Sequence, residues 1–109
     1  VRLVGSEMCI RDRTCRLFTT TVAKGCRRGL GFDKPDVQNP AKSPCALSAP
    51  ASVYGHTGFT GTCAWVDPDN GLVYVFLSNR IYPEVWNAKL LKSDIRERIQ
   101  EAMYRAVLK

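Results

Sequence analysis

The sequence predicts an α+β fold in which one antiparallel sheet is covered by a C-terminal helix. A strand–turn–strand pattern over 61–67 and 72–78 predicts a hairpin, and a glycine-bordered segment at 53–58 predicts a strand before it. An amphipathic run over 94–108 predicts the helix. A further strand is expected at 28–32. The 109 residues are enough for one small hydrophobic core.

The first thirteen residues do not resemble natural protein. From Arg2 to Asp12 they match, codon after codon, the translation of a transposase sequencing adapter. We therefore assign residues 1–13 to the adapter and expect the natural domain to occupy 14–109. A short basic tail is the alternative. A secretory signal is not expected, because charged residues interrupt the apolar ones.

The segments that follow carry weaker signals. Residues 14–24 mix β-branched and aromatic side chains, and we assign no element to them. The two glycines in 28–32 suit a strand that a neighbour crosses closely, although a glycine-containing turn has the same composition. Prolines at 35, 40, 44 and 50 predict that 33–52 is a surface connection rather than a helix or strand.

A candidate functional group lies in the strand predicted at 53–58. Gly55, Gly58 and Gly61 are spaced three apart around His56, the only histidine in the sequence. This pattern places a titratable imidazole on backbone that a ligand can approach closely. The alternative is a strand histidine whose ring is satisfied by a neighbouring backbone group.

The hairpin is the element that the sequence defines best. Small and polar residues alternate with Cys63 and Trp65 along 61–67, and Asp, Pro, Asn and Gly supply turn chemistry over 67–71. The return strand is almost wholly apolar from 72 to 77. A strand that is apolar on both faces predicts cover on both sides of the sheet.

The C-terminal helix is predicted to provide one of these covers. Ser93 can cap it, and Asp94 suits its positive end. Apolar residues repeat at spacings of three and four along one face, namely Ile95, Ile99, Ala102, Met103, Ala106 and Val107. Charged residues of mixed sign on the other face indicate a solvated surface. Tyr82-Pro83 and Trp86 are expected to fix the crossover at 80–92.

Composition argues against two classes of partner. The formal net charge is +6, but the basic residues are scattered and do not interleave with aromatic ones, so no nucleic-acid groove is predicted. No apolar run is long enough to span a bilayer.

The cysteines predict neither a metal site nor a catalytic thiol. Outside the adapter-like segment they stand at 15, 26, 45 and 63, a spacing that matches no paired Cys-x-x-Cys pattern, and a single histidine cannot complete a Cys/His site. Free thiols are favoured over two disulfides. Cys63 also suits the role of a small buried hydrophobic residue.

The stretch from 28 to 108 resembles the C-terminal part of the serine beta-lactamase and penicillin-binding-protein superfamily. His56-Thr57-Gly58 resembles the third motif of that superfamily, a Lys-Thr-Gly or His-Thr-Gly triplet on a strand beside the acyl-transfer site. The class C-like branch then runs through an Asp-Pro turn, Leu-Ser-Asn and a terminal helix, and this sequence has Asp67-Pro68, Leu77-Ser78-Asn79 and the helix in that order. Arg28-Gly29-Leu30-Gly31-Phe32 resembles the branch's Tyr-Gly-Leu-Gly-aromatic strand, with Arg28 where an aromatic residue is usual.

The resemblance implies a role for each residue of this motif. The backbone N–H of Phe59 would donate to the oxyanion, and Gly58 would keep the strand edge open. The Thr57 hydroxyl would bind a substrate carboxylate or carbonyl. His56, in the position of the usual lysine, would act on the proton-transferring residue as a positive field or hydrogen-bond partner. The resemblance implies no metal and no cofactor.

The family's nucleophile is missing from this sequence. No Ser-x-x-Lys occurs, and neither Tyr-x-Asn nor Ser-x-Asn precedes the triplet. The resemblance therefore implies a partial beta-lactamase or transpeptidase-like domain that lacks its N-terminal half and is inactive alone.

Two functions remain open for the whole protein. The His-Thr-Gly variant favours an ester or peptide hydrolase, acting on a small-molecule or peptidoglycan-type substrate, over an antibiotic-degrading lactamase. The alternative is a catalytically inactive binding or scaffolding module, for example one fused to a cell-wall glycosidase. The resemblance also implies a periplasmic or cell-surface location.

Overall fold

The computed structural model describes residues 6–107, with side chains described from residue 11. It contains three antiparallel strands and three α-helices, which confirms the α+β class. The elements in order are α1 (Ser6–Thr19), β1 (Tyr54–Thr57), β2 (Cys63–Asp67), β3 (Leu72–Phe76), α2 (Lys89–Lys92) and α3 (Ile95–Val107), with a 3-10 turn at Pro40–Lys42. Residue 108, the predicted end of the helix, lies outside the described residues.

The sheet has the order β1-β2-β3, so the predicted hairpin forms and the predicted strand at 53–58 pairs with its first strand. Thr57 pairs with Cys63, and Cys63 pairs with Phe76, so the register runs straight across the three strands. Opposite residues in a sheet share a face. Cys63, Trp65 and Tyr74 therefore lie on one face, and this face is buried.

The core forms between that face of the sheet and α3. Cys45 and Val53 join the three buried sheet residues, and Phe76, Ile99 and Met103 pack around them. Trp65 is only 1% exposed. It is the largest of the fully buried side chains, and truncating a buried tryptophan to alanine costs about 3–5 kcal/mol.

The strand expected at 28–32 does not form. Only Asp33 pairs with the sheet, by exchanging two backbone hydrogen bonds with Gly55 (2.7 and 3.1 Å). The glycines before it allow a close approach, as expected, but the neighbour is the end of α1. A Cβ on Gly31 would lie 2.8 Å from the Phe18 ring. Residues 28–32 thus pack against the end of α1 instead of pairing as a strand.

The prediction that both faces of β3 are covered is also wrong within the described residues. Tyr74 is buried against α3, whereas Val73 and Val75 on the opposite face are exposed. Leu77, just beyond the strand, is 79% exposed. One face of the sheet is therefore apolar and open.

Helix α3 presents a different stripe to the core from the one predicted. Arg96, Gln100 and Tyr104 are buried, while Ala102, Ala106 and Val107 are exposed. The polar side chains are buried because each finds a partner: Gln100 accepts from the Ala46 N–H (2.9 Å), and Arg96 donates to the Thr62 carbonyl (3.2 Å).

The approach to α3 also differs from the prediction. Ser93 closes α2, donating its backbone N–H to the Lys89 carbonyl (3.1 Å), and does not cap α3. Asp94 turns the chain with a φ of 51°, a conformation that aspartate tolerates better than most residues. Tyr82 and Trp86, expected to fix the crossover, are both about three-quarters exposed (77% and 76%).

Candidate functional site

Strand alternation sets the direction of the His56 side chain. Gly55 backs onto the buried face beneath Trp65, so the next residue, His56, points to the open face of the sheet. Its cross-strand neighbour Ala64 is small and exposed, which leaves the ring uncovered. The candidate group thus lies on the surface that the core does not use.

Gly55 has a packing role rather than the ligand-approach role expected from the sequence. A Cβ at this position would lie 2.7 Å from Cε3 of Trp65. Any larger residue would push β1 away from the tryptophan. This glycine therefore allows β1 to pack against the core, and the exposure of His56 follows from that packing.

A tight turn follows β1 and carries the rest of the triplet. Gly58 donates to the Thr62 carbonyl (2.7 Å), and Gly61 donates back to the Gly58 carbonyl (3.0 Å). Gly61 has a φ of 95°, which strongly favours glycine. Arg80 donates its backbone N–H to the Thr60 carbonyl (2.9 Å), so the turn is held from outside as well.

Phe59 lies at the tip of this turn. Its ring is 66% exposed and packs against the Arg80 guanidinium, with 4.8 Å from Cζ to the ring centroid. Its backbone N–H donates to no protein acceptor within residues 11–107. The amide is consequently available to an atom from another molecule.

Thr57 lies on a different surface from His56. It pairs with Cys63, whose side chain is in the core, so the Thr57 side chain starts on the buried face and is half-exposed at the strand end. The structure therefore brings His56 and the Phe59 amide to the open end of β1. The Thr57 side chain starts at the same strand end but on the other side of the sheet.

The imidazole of His56 has a partner on each nitrogen. Nδ1 lies 2.6 Å from the Thr57 carbonyl oxygen, and Nε2 lies 3.2 Å from Nη2 of Arg28. The contact with Arg28 was not predicted from the sequence. The sequence did contain one indication of it, because Arg28 stands where the similar strand of the superfamily usually has an aromatic residue.

The adjacent arginine is engaged differently. Arg27 forms an ion pair with the buried carboxylate of Asp33 (2.6 Å) and donates to the Lys34 carbonyl (3.1 Å). No ion pair joins Arg28 to a carboxylate within residues 11–107. Of the two neighbouring guanidinium groups, one is neutralised in the fold and the other faces the histidine.

The cysteines do not form part of this site. All four between 15 and 63 are free thiols, and Cys45 and Cys63 are buried. Burial raises the pKa of the Cys45 thiol to about 12 and also raises the pKa of Cys63. Thiols with such pKa values are protonated near neutral pH and poor nucleophiles.

The described part of the chain contains neither a metal-binding cluster nor a membrane-spanning helix. Among residues 6–107, no group of three His, Cys, Asp or Glu side chains is arranged to hold a metal ion. The helices in the same range are too short or too polar to cross a membrane.

Comparison with known proteins gives a consistent assignment. A family model described as Beta-lactamase matches residues 10–93. Putative D-alanyl-D-alanine carboxypeptidases from Salmonella paratyphi B and Salmonella newport are each 33% identical over 86 residues, which is 79% of this chain and 20% of the relative. The Salmonella gallinarum relative is 34% identical over 79 residues, 72% of this chain and 18% of its own length. No solved structure gives a significant match.

The chain thus spans about a fifth of the length of the curated relatives that it matches. The family match covers the glycine-rich segment, the triplet and the hairpin together. The chain belongs to the beta-lactamase family.

Proposed function

We propose that this chain forms one wall of the acyl-transfer site of a serine hydrolase. The whole protein would cleave an ester, amide or peptide bond through an acyl-enzyme, in a small-molecule or peptidoglycan-type substrate. The observation that carries the proposal is the exposed His56 side chain on β1 together with an unengaged Phe59 N–H on the turn that follows this strand. The carboxypeptidase names of the Salmonella relatives favour a peptidoglycan-type substrate.

The proposed chemistry assigns a task to each part of the triplet. When serine attacks a carbonyl carbon, the oxygen gains negative charge and needs backbone donors held in place. The Phe59 N–H supplies one such donor on a turn that hydrogen bonds fix from both sides. Gly58 lets the turn close, since a Cβ there would overlap Oγ1 of Thr62. The Thr57 hydroxyl binds a carbonyl or carboxylate of the substrate. His56 acts by hydrogen bonding and by orienting charge.

The nucleophile must come from outside these residues. The sequence contains no Ser-x-x-Lys, and the relatives are about five times longer than the matched region. We infer that residues 14–109 are the C-terminal part of one domain, that residues 1–13 derive from an adapter, and that the missing N-terminal half carries the serine. A periplasmic or cell-surface location is part of the same proposal.

Labelling with a fluorescent penicillin and with an activated-ester probe tests this division of labour. The isolated chain should remain unlabelled, because it has no serine nucleophile in the required motif. The protein extended upstream to the length of its relatives should be labelled once per molecule. Labelling of the isolated chain would contradict the proposal that its nucleophile lies outside these residues. A folded but unlabelled long protein would favour the scaffolding module instead.

In the extended protein, His56→Ala should slow acylation on the order of 10²-fold, the usual effect of removing one preorganised polar group from such a site. Val73→Ala is the matched control, because Val73 is exposed on the same face of the sheet. Acylation rates and thermal unfolding should be measured for both variants. Equal rates in the His56→Ala variant and the wild type would remove His56 from the mechanism.

A further inference from the structure

We propose that Arg28 is the positioning and charge-supplying residue for His56. It holds the imidazole in a single tautomer and places beside it the positive charge that a lysine supplies in Lys-Thr-Gly members of the family. This inference rests on the proposed function for its role in the reaction, but the geometry of the pair stands independently of that role.

The hydrogen-bonding chemistry fixes the tautomer. A guanidinium carries only N–H donors, so Nε2 of His56 must accept the hydrogen bond from Arg28 (3.2 Å) with its lone pair. A carbonyl oxygen can only accept, so Nδ1 must carry the proton that it shares with Thr57 (2.6 Å). The ring is therefore an uncharged Nδ1–H imidazole in this arrangement. While Arg28 occupies Nε2, His56 cannot act there as a general base.

The positive charge of the pair belongs to Arg28. Arginine stays protonated at every relevant pH, whereas the ring beside it is neutral. Arg27 is paired with Asp33, but Arg28 has no carboxylate partner within residues 11–107. Its guanidinium therefore presents further N–H donors at the open face, where a substrate carboxylate can receive them in a forked geometry.

The backbone of Arg28 is held in place, which makes the contact a built feature. Its carbonyl accepts from the Val22 N–H (3.2 Å), and the next residue, Gly29, donates to the Phe32 carbonyl (2.9 Å). A Cβ on Gly29 would lie 2.6 Å from the Thr20 carbonyl oxygen, so the backbone here packs closely against the end of α1. A functional side chain on fixed backbone is preorganised for its partner.

The tautomer can be measured directly in this chain, since His56 is its only histidine. Long-range ¹H–¹⁵N correlation spectra in mildly alkaline buffer should show a protonated Nδ1 and an unprotonated Nε2. Arg28→Met, which removes every donor but keeps chain length, should no longer show this pattern alone, because only the Thr57 carbonyl then favours Nδ1–H and the Nε2–H tautomer also becomes populated. Arg28→Lys should restore it, and Arg98→Gln, which removes an exposed positive charge elsewhere, should leave it unchanged. A protonated Nε2 in the wild type, or an unchanged pattern in Arg28→Met, would overturn the proposal.

The extended protein separates this inference from the proposed function. For an acyl donor with a free carboxylate, Arg28→Met should raise KM by at least about tenfold. For the same donor with its carboxylate converted to an amide, Arg28→Met should change KM by no more than about twofold, because only contacts to an uncharged group are lost. Equal KM effects on both donors would overturn the charge role of Arg28 while leaving hydrolysis established. Absence of acylation in the wild type would instead refute the proposed function and leave the tautomer result standing.

Discussion

Two buried side chains, Asp67 and Tyr104, form a hydrogen bond between the sheet and α3. Asp67 is buried at the end of β2, and this burial alone would raise the pKa of its carboxyl group. The Tyr104 hydroxyl (2.7 Å) and the Asn70 side chain (2.8 Å) donate to it and outweigh that effect, so its pKa is lowered. The hydroxyl thereby links helix α3 to the hairpin turn.

Tyr104→Phe should lower the free energy of unfolding by about 1.5–3 kcal/mol, the range for hydrogen bonds to charged groups. The loss arises because a buried carboxylate is left with one donor fewer. Tyr82→Phe is the control, since Tyr82 is mostly exposed and should change stability by less than about 0.5 kcal/mol. Urea titration of both variants measures the difference. Equal midpoints would show that water replaces the Tyr104 hydroxyl without cost.

Some of the candidate site residues could be predicted from the sequence, and others could not. His56, Thr57 and Gly58 could be proposed as candidates because a triplet is a local pattern in the sequence. Arg28 was noticed only as a departure from the usual aromatic residue. Its contact with His56 joins two segments 28 positions apart, and no short-range periodicity encodes such a pairing.

At the level of elements, β3 has two unlike faces and an unpaired outer edge. One face is buried by α3, while the other carries Val73 and Val75, the latter 54% exposed. Within the described residues, the side of β3 away from β2 has no strand partner. An exposed apolar strand with free backbone groups is a template for pairing with another chain.

We therefore expect the isolated chain to self-associate through β3 with rising concentration. Val75→Lys should shift the equilibrium toward monomer, because a lysine on the open face opposes strand pairing. Leu47→Lys is the control: it adds the same charge at another exposed apolar residue (75% exposed), which lies in the connection before β1. Sedimentation velocity at several concentrations measures the shift. An identical effect of both substitutions would point to net charge alone.

The elements differ in how well their sequences encode them. The hairpin and α3 were predicted because alternation, turn residues and helical spacing all act within a few residues. The strand at 28–32 was wrong because its glycines serve a close approach by Phe18, which is a tertiary cause. Helix α1 was not expected, since residues 1–13 were set aside and no element was assigned to 14–24. The buried stripe of α3 differs because Arg96, Gln100 and Tyr104 have polar partners that a hydrophobicity pattern ignores.

For the whole molecule, ionisable groups that are buried or hydrogen-bonded in the fold should confine stability to intermediate pH. Hydrogen bonds from Ser48 lower the pKa of Glu101, and those from Tyr104 and Asn70 lower that of Asp67. Burial raises the pKa of Tyr74 and of Cys45 to about 12 each. Because of these shifts, unfolding takes up protons at low pH and releases protons at high pH.

The sign of each effect follows from linkage. Below the ordinary values of 4.5 and 3.8, the unfolded chain binds protons at Glu101 and Asp67 before the folded chain does, so stability falls as pH drops. Above the ordinary value of 9.0 for Cys45 and 10.0 for Tyr74, the unfolded chain releases protons first, so stability falls again up to about pH 12. Each group contributes a slope of up to about 1.4 kcal/mol per pH unit.

Urea unfolding across this pH range should therefore give a plateau with losses on both sides. Cys45→Ala should make the alkaline limb shallower, because one proton fewer is released on unfolding. Cys26→Ala is the control, since Cys26 is an exposed thiol. A flat profile above pH 9 would show that these groups ionise equally in the folded and unfolded chains.

The two hydrogen bonds between Asp33 and Gly55 have a consequence for how this site can vary. They attach the segment carrying Arg28 to the strand one residue before His56, so the number of residues between Arg28 and Asp33 sets where the guanidinium lies. Inserting or deleting a single residue there would move the guanidinium away from the imidazole while leaving every side chain of the triplet unaltered. A change of loop length alone would then be enough to separate Arg28 from His56.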